Sequence, residues 1–251
     1  MRDCAAQNRR QAFAAMPMLN GAGLFSLSGG LAWHMRALRH RKGWSQFIAA
    51  VNWWLGTWNH GCKGLLLLGP SAGWCLQGSF LAGFQRIHAI DLDPLAPAFF
   101  KRLHGSDLGR VGTTLTWERA DFFERLDDLL RLYPGHAILF SNVLGQHALH
   151  QREPGRAESD LKALATRLLG RQWASFHDRL SGTWPTGRPI PAPFRLEKAE
   201  EATVLAARVA GQGEWIDHLT THVLPDNCKR IVMPWPITPG KLHWIEAGHV
   251  A

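Results

Sequence analysis

The residues with the clearest chemical pattern are Gly69, Gly73 and Asp91, within the stretch LLLLGPSAGWCLQGSFLAGFQRIHAIDLD from Leu65 to Asp93. Glycines after an apolar run let a ligand approach the backbone closely. An acid closing the next apolar run can accept hydrogen bonds from ribose hydroxyls. The separation of Gly69 and Asp91 is close to the roughly 20 residues between the glycine turn and the ribose acid of a nucleotide-binding βαβ unit. This points to an adenosine-containing cofactor.

Further candidates lie downstream. His177-Asp178-Arg179 combines a base, a carboxylate and a cation; a histidine can take a proton and an arginine can hold an anionic group. Asn142 and His147 belong to the polar stretch Ser141–Gln146 and its continuation. His147 and His150 could share one helical face, but no third ligand is identifiable, so no metal is expected. Each residue also has a plain structural reading. Asp121 can cap a helix, Asn142 can make a turn, and the His-Asp-Arg group can stabilise a loop.

Alternating elements must position these residues. Leu65–Leu68, Ile87–Ile90, Thr113–Arg119, Ala137–Ser141 and Gln172–Phe176 read as strands. Trp74–Leu81, Leu95–Leu103, Phe123–Leu132 and Glu158–Leu169 read as the helices between and after them. Ser45 to about Trp58 is apolar at helical spacing and reads as a helix packed on the sheet. The alternation predicts a mostly parallel sheet with helices on both faces. Thr183–Phe194, with four prolines, reads as a loop. Leu196–Val209 reads as a helix, and Glu214–Leu219 as a continuation of the helical layer. Arg230–Trp235 and Lys241–Ala247, joined by a short Pro-Gly connection, predict a terminal antiparallel hairpin. The expected fold is one Rossmann-like three-layer α/β domain over 45–251, with a mostly parallel seven-stranded sheet. Residues 1–44 form a basic N-terminal extension, partly flexible or helical.

Composition bounds the remaining choices. The chain has 251 residues, 46% of them hydrophobic and 19% charged, which suits a folded globule. No run approaches the roughly 18 apolar residues of a membrane span. Residues 1–63 carry Arg2, Arg9, Arg10, Arg36, Arg39, Arg41, Lys42 and Lys63 against Asp3 alone, which is most of the formal charge of +8. That asymmetry suggests an anionic partner or substrate; a solvated basic helix explains it equally well. Arg9-Arg10 before Ala12–Leu31 loosely resembles an export signal, but Asn20, Ser26, Ser28 and several glycines interrupt the stretch. Cys4, Cys62, Cys75 and Cys228 are scattered, as expected of reduced thiols in a cytoplasmic protein.

The order of elements, with its glycine turn and terminal hairpin, resembles the class I S-adenosylmethionine-dependent methyltransferases. Gly69-Pro70-Ser71-Ala72-Gly73 matches the glycine-rich first motif at its outer glycines, with Ser71 replacing the middle one and Leu67 standing where an acid is usual. The resemblance implies that Asp91 accepts from the ribose hydroxyls, with Leu92 beside it. It implies that Asp121 lies near the adenine amino group and Phe122 against the ring. It also implies that Asn142 faces the methyl donor. The cofactor would be S-adenosyl-L-methionine, held by Gly69, Pro70, Ser71, Gly73, Asp91, Leu92, Asp121, Phe122 and Asn142. Asn142, His177 and Asp178 are then the candidate catalytic residues. His147, Arg179 and Trp184 are the candidates for binding the acceptor.

Three readings remain open from the sequence. The first is a methyltransferase acting on an unidentified small-molecule acceptor, for which the basic segment suggests an anion. Nucleic acid, contacted through Trp33, Arg36, Arg39, Arg41 and Trp44, is the less favoured acceptor. The second is a non-catalytic methyltransferase-like binding protein with an altered cofactor loop. The third, a nicotinamide-dependent oxidoreductase, requires a G-x-G-x-x-G loop that the chain does not supply.

Overall fold

The computed structural model describes residues 30–150, 154–209 and 215–250; the expectations for residues 1–29, and for the side chain of His150, lie outside them. Helix α1 (Gly30–His40) runs through a tight turn at Arg41–Trp44 into helix α2 (Ser45–Gly56). Strand β1 (Gly64–Leu68) follows, then the short helix α3 (Gly78–Leu81) and strand β2 (Arg86–Ile90). Helix α4 (Ala96–Val111), strand β3 (Thr114–Glu118), helix α5 (Phe122–Leu132) and strand β4 (His136–Ser141) continue the alternation. Helices α6 (Leu144–His150) and α7 (Pro154–Arg167) lead to strand β5 (Trp173–Thr183). The chain ends with strand β6 (Phe194–Leu196), helix α8 (Ala202–Val209), strand β7 (Trp215–Asp217) and strands β8 (Arg230–Thr238) and β9 (Lys241–Val250).

All but β7 lie in the spatial order β3-β2-β1-β4-β5-β9-β8-β6. The first five are parallel, with Leu68 level with Ile90 on one side and Phe140 on the other. β9 then enters antiparallel between β5 and β8. This is the expected Rossmann-like parallel sheet with an antiparallel terminal hairpin. The short strands β6 and β7 add to the seven foreseen, β7 pairing with the far end of β5. Every residue of β1 is buried, because a central parallel strand is covered on both faces. Leu65 and Leu67 join one core with α1, α2 and α4, while Leu66 and Leu68 join another with α5 and α7. Burying each leucine contributes about 1.5–3 kcal/mol.

Four elements differ from the sequence reading. The expected helix Trp74–Leu81 shrinks to Gly78–Leu81. Asn52 on α2 takes over the backbone before it, donating to the Cys75 carbonyl at 2.9 Å and accepting from the Gln77 amide at 2.8 Å. β5 runs on to Thr183 because the ten-residue β9 pairs along it, with a bulge between Asp178 and Leu180. His177-Asp178-Arg179 is therefore strand, not a loop after it. Phe194–Leu196 pairs with β8, so the helix expected from Leu196 begins at Ala202. Trp215–Asp217 pairs with Leu180–Gly182 as a strand, where a helical layer was expected.

Candidate functional site at the carboxyl edge of the sheet

The backbone bend after β1 and the acid closing β2 touch each other. Gly69 has φ +64° and donates to the Ile90 carbonyl at 2.8 Å. A Cβ on Gly69 would run into Val143, just past β4, so only glycine lets these two loops meet. Ser71 donates its amide to Asp91 Oδ2 at 2.6 Å, and Asp93 donates to Oδ1 at 2.8 Å. Ser71 holds φ +50°, the left-handed conformation usually left to glycine. Each carboxylate oxygen has a second lone pair, so Asp91 can still accept from a diol. Burial pushes the Asp91 carboxyl up to about 6, against the lowering pull of its two amide partners.

Helix α1 forms a wall against this bend. Its Gly30 amide donates to Asp93 Oδ2 at 3.1 Å, and His34 Nε2 lies 3.0 Å from the same oxygen. Trp74 donates its indole N–H to His34 Nδ1 at 3.2 Å. An indole can only donate, so His34 accepts at Nδ1 and carries its proton on Nε2, toward Asp93. Burial raises the Asp93 carboxyl, but the hydrogen bonds from His34 and from the Leu95 and Gly30 amides outweigh it and hold it low. Trp33 Nε1 donates to Ser71 Oγ at 3.1 Å, placing a ring directly beside the glycine turn.

The other predicted residues divide. Asp121 caps α5, accepting from the Phe123 amide at 2.8 Å. Phe122 is buried in the core against Phe140, so its ring lies under the helix and not over an open cleft. Leu92 is 51% exposed at the end of β2. Asn142 sits at φ +54° after β4 and donates through Nδ2 to Asp178 Oδ2 at 3.1 Å. These two candidates, far apart in sequence, meet at the carboxyl edge.

His177 does not join them. It is fully buried, with Nδ1 2.8 Å from Ser175 Oγ, and burial lowers it to about 4. Arg179 is also buried: it is ion-paired with Glu246 and donates to Thr221 Oγ1 at 3.1 Å. Its charge is spent inside the sheet and is not offered to an acceptor. His147 stacks on Phe123 and lies 3.0 Å from Asp160, toward α7. Trp184 is buried and carries the Arg188 guanidinium 4.2 Å over its ring.

Two further histidines, which no motif or spacing marks, complete the edge. His243 on β9 places Nδ1 2.6 Å from Asp178 Oδ1, and the His218 ring lies 6.1 Å from the His243 ring. The His243 ring also meets Trp235 edge-on, which in turn meets Trp33. A continuous line of side chains thus joins the glycine turn to Asp178. Arg39, His40, Trp184, Arg188, Pro236 and Lys241 help line a cleft of about 320 Å³. The basic extension and the proline-rich loop share this cleft. Among the described residues, no helix is long and apolar enough to cross a membrane.

No family model matches the chain, and no curated protein matches it. Solved structures with a similar fold include the mitomycin 7-O-methyltransferase MmcR, at TM-score 0.46 and 14% identity over 99% of this chain and 67% of that one. Another is the magnesium protoporphyrin IX methyltransferase ChlM of Synechocystis PCC 6803 with bound SAH, at TM-score 0.43 and 11% identity over 97% and 94%. The chain spans 65% of the methyltransferase domain of bacterial CtHen1-C, covering 53% of its own length at TM-score 0.38 and 16% identity.

Proposed function

We propose that the protein is a methyltransferase that uses S-adenosyl-L-methionine to methylate a small anionic acceptor. The observation that carries this reading is the contact of the Ser71 amide with Asp91 at 2.6 Å, on the same sheet edge as Asn142 and Asp178. The residues suit the cofactor: a left-handed backbone bend at Gly69–Gly73, and a strand-end carboxylate facing its Ser71 amide. When bound, the cofactor supplies a methyl group already activated for displacement. The chain's own work is then positioning and exclusion of water. Asp91 accepts from the ribose hydroxyls, and Leu92 and Asp121 border the base. Gly69, Pro70, Ser71 and Gly73 shape the bend. Asn142 orients Asp178 on the acceptor side.

The cleft lined by Arg39, Arg188 and Lys241 supports the anionic acceptor. Trp33 and Trp44 stack on each other at 5.8 Å and both abut Trp235. Rings consumed in packing are not platforms for bases, which favours a small molecule over nucleic acid. One observation favours a binding protein without catalysis: Leu67, where an acid is usual, is wholly buried. Calorimetry with S-adenosylhomocysteine on the wild type and Asp91→Ala separates the readings. Binding by the wild type that is lost in the variant supports the cofactor site. Transfer of labelled methyl to a panel of small carboxylates and phosphates then tests catalysis, and binding without any transfer supports the second reading.

A further inference from the structure

Three strands side by side bring Asp178, His218 and His243 together. β5 carries Asp178 at its bulge, β9 carries His243, and His218 directly follows β7. One donor atom from each lies within 4.8 Å of the others. Bulges commonly re-aim side chains next to functional sites.

The electrostatics of this cluster are unusual within the molecule. The other acid buried in the sheet, Glu246, is paired with both Arg179 and Arg230. Asp178, its side chain 7% exposed, has no Lys or Arg ion pair among the described residues. Its partners are the neutral Asn142 amide and His243. A buried carboxylate between two imidazoles, with no guanidinium or ammonium paired to it among the described residues, is a site that favours a cation.

We propose that Asp178, His218 and His243 bind one borderline divalent metal ion, of which Zn²⁺ is the representative. Two imidazoles and one carboxylate are donors suited to such ions, and three protein ligands leave a position open for an oxygen donor. The supporting contacts are of the kind that orient metal ligands. His218 Nδ1 is 3.4 Å from the Gly145 carbonyl, which leaves Nε2 as its donor atom, and Asn142 holds the second Asp178 oxygen. Metal–nitrogen bonds of about 2.0–2.1 Å require the three donors to draw in, and both the His243–Asp178 hydrogen bond and the 2.9 Å contact of His218 Nε2 with Ser181 Oγ to open. Metal binding is measured directly and does not depend on the methyltransferase reading.

The test is calorimetric titration of the full, chelator-stripped chain with ZnCl₂, repeated with Co²⁺ to read its visible absorption. The expected result is one equivalent bound per chain and a Co²⁺ spectrum of mixed nitrogen and oxygen ligation. Binding should weaken at least about tenfold in His218→Ala and in His243→Ala, and stay unchanged in His136→Ala. Far-UV circular dichroism verifies the fold, and His243→Gln is the replacement if the alanine variant unfolds. No stoichiometric binding, or binding indifferent to both substitutions, overturns the proposal. So does a His243 imidazolium signal by NMR that Zn²⁺ leaves unmoved, because His243 is then itself the countercharge of Asp178. Titration of the same sample with S-adenosylhomocysteine reads the cofactor site separately.

Discussion

Replacing Asp91 by asparagine should both weaken the nucleoside site and remove its pH dependence. With the Asp91 carboxyl raised to about 6, the wild type loses its ionised acceptor as pH falls. Affinity for S-adenosylhomocysteine should therefore drop about tenfold between about pH 7 and about pH 5, one pH unit below the titration point costing about 1.4 kcal/mol. Asp93 does not contribute, because its contacts hold it below the ordinary carboxylate range. The asparagine side chain would be neutral throughout, and it can accept from only one of the Ser71 and Asp93 amides. Loss of a charged hydrogen-bond acceptor costs about 1.5–3 kcal/mol, or about ten- to a hundredfold in affinity at neutral pH. Stability of the ligand-free protein should move oppositely. A carboxyl raised from 3.8 to about 6 stabilises the fold most fully below about pH 4, and that contribution is lost as pH rises through about 6. Calorimetry across this range, with thermal unfolding in parallel, reads both slopes. An affinity slope that survives in Asp91→Asn would refute the assignment.

Four other substitutions test neighbouring parts of the molecule. Gly69→Ala forces a side chain into φ +64° and into Val143, so it should cost more than about 1 kcal/mol in denaturant unfolding; a stability equal to wild type contradicts the close approach of the two loops. Glu246→Gln leaves Arg179 and Arg230 without their buried counter-ion and should destabilise by about 3–5 kcal/mol, measured by urea midpoint. Lys241→Ala and Arg39→Ala should raise KM for an anionic acceptor several-fold while leaving S-adenosylhomocysteine affinity within about twofold; a loss confined to nucleoside affinity would remove the cleft from the acceptor site.

The parallel half of the molecule was legible because its signals are local. Four leucines before a glycine turn, and acids at strand ends, fix β1 and β2 without reference to anything distant. The hairpin followed from two apolar runs and a short connection. What escaped was built by contacts across long stretches of chain. His243 meets Asp178 from 65 residues away, a distance at which spacing carries no information. His177-Asp178-Arg179 looks like a polar loop because three ionisable residues rarely sit inside a sheet. Here Glu246 supplies the opposite charge to Arg179, and the strand continues. Trp74 is a good helix candidate by itself, yet an amide side chain on another helix satisfies the backbone that follows it.

The docking of α1 has a consequence for traffic. Trp33 fastens this helix to the glycine turn, and His34 lies against Asp93, two residues past the proposed ribose acid. A molecule resting there shares one wall with an element that the Rossmann-like core does not itself provide. On the proposed cofactor reading, exchange of the nucleoside would wait on these two aromatic side chains letting go, and the slow step of turnover would move from bond-making to departure.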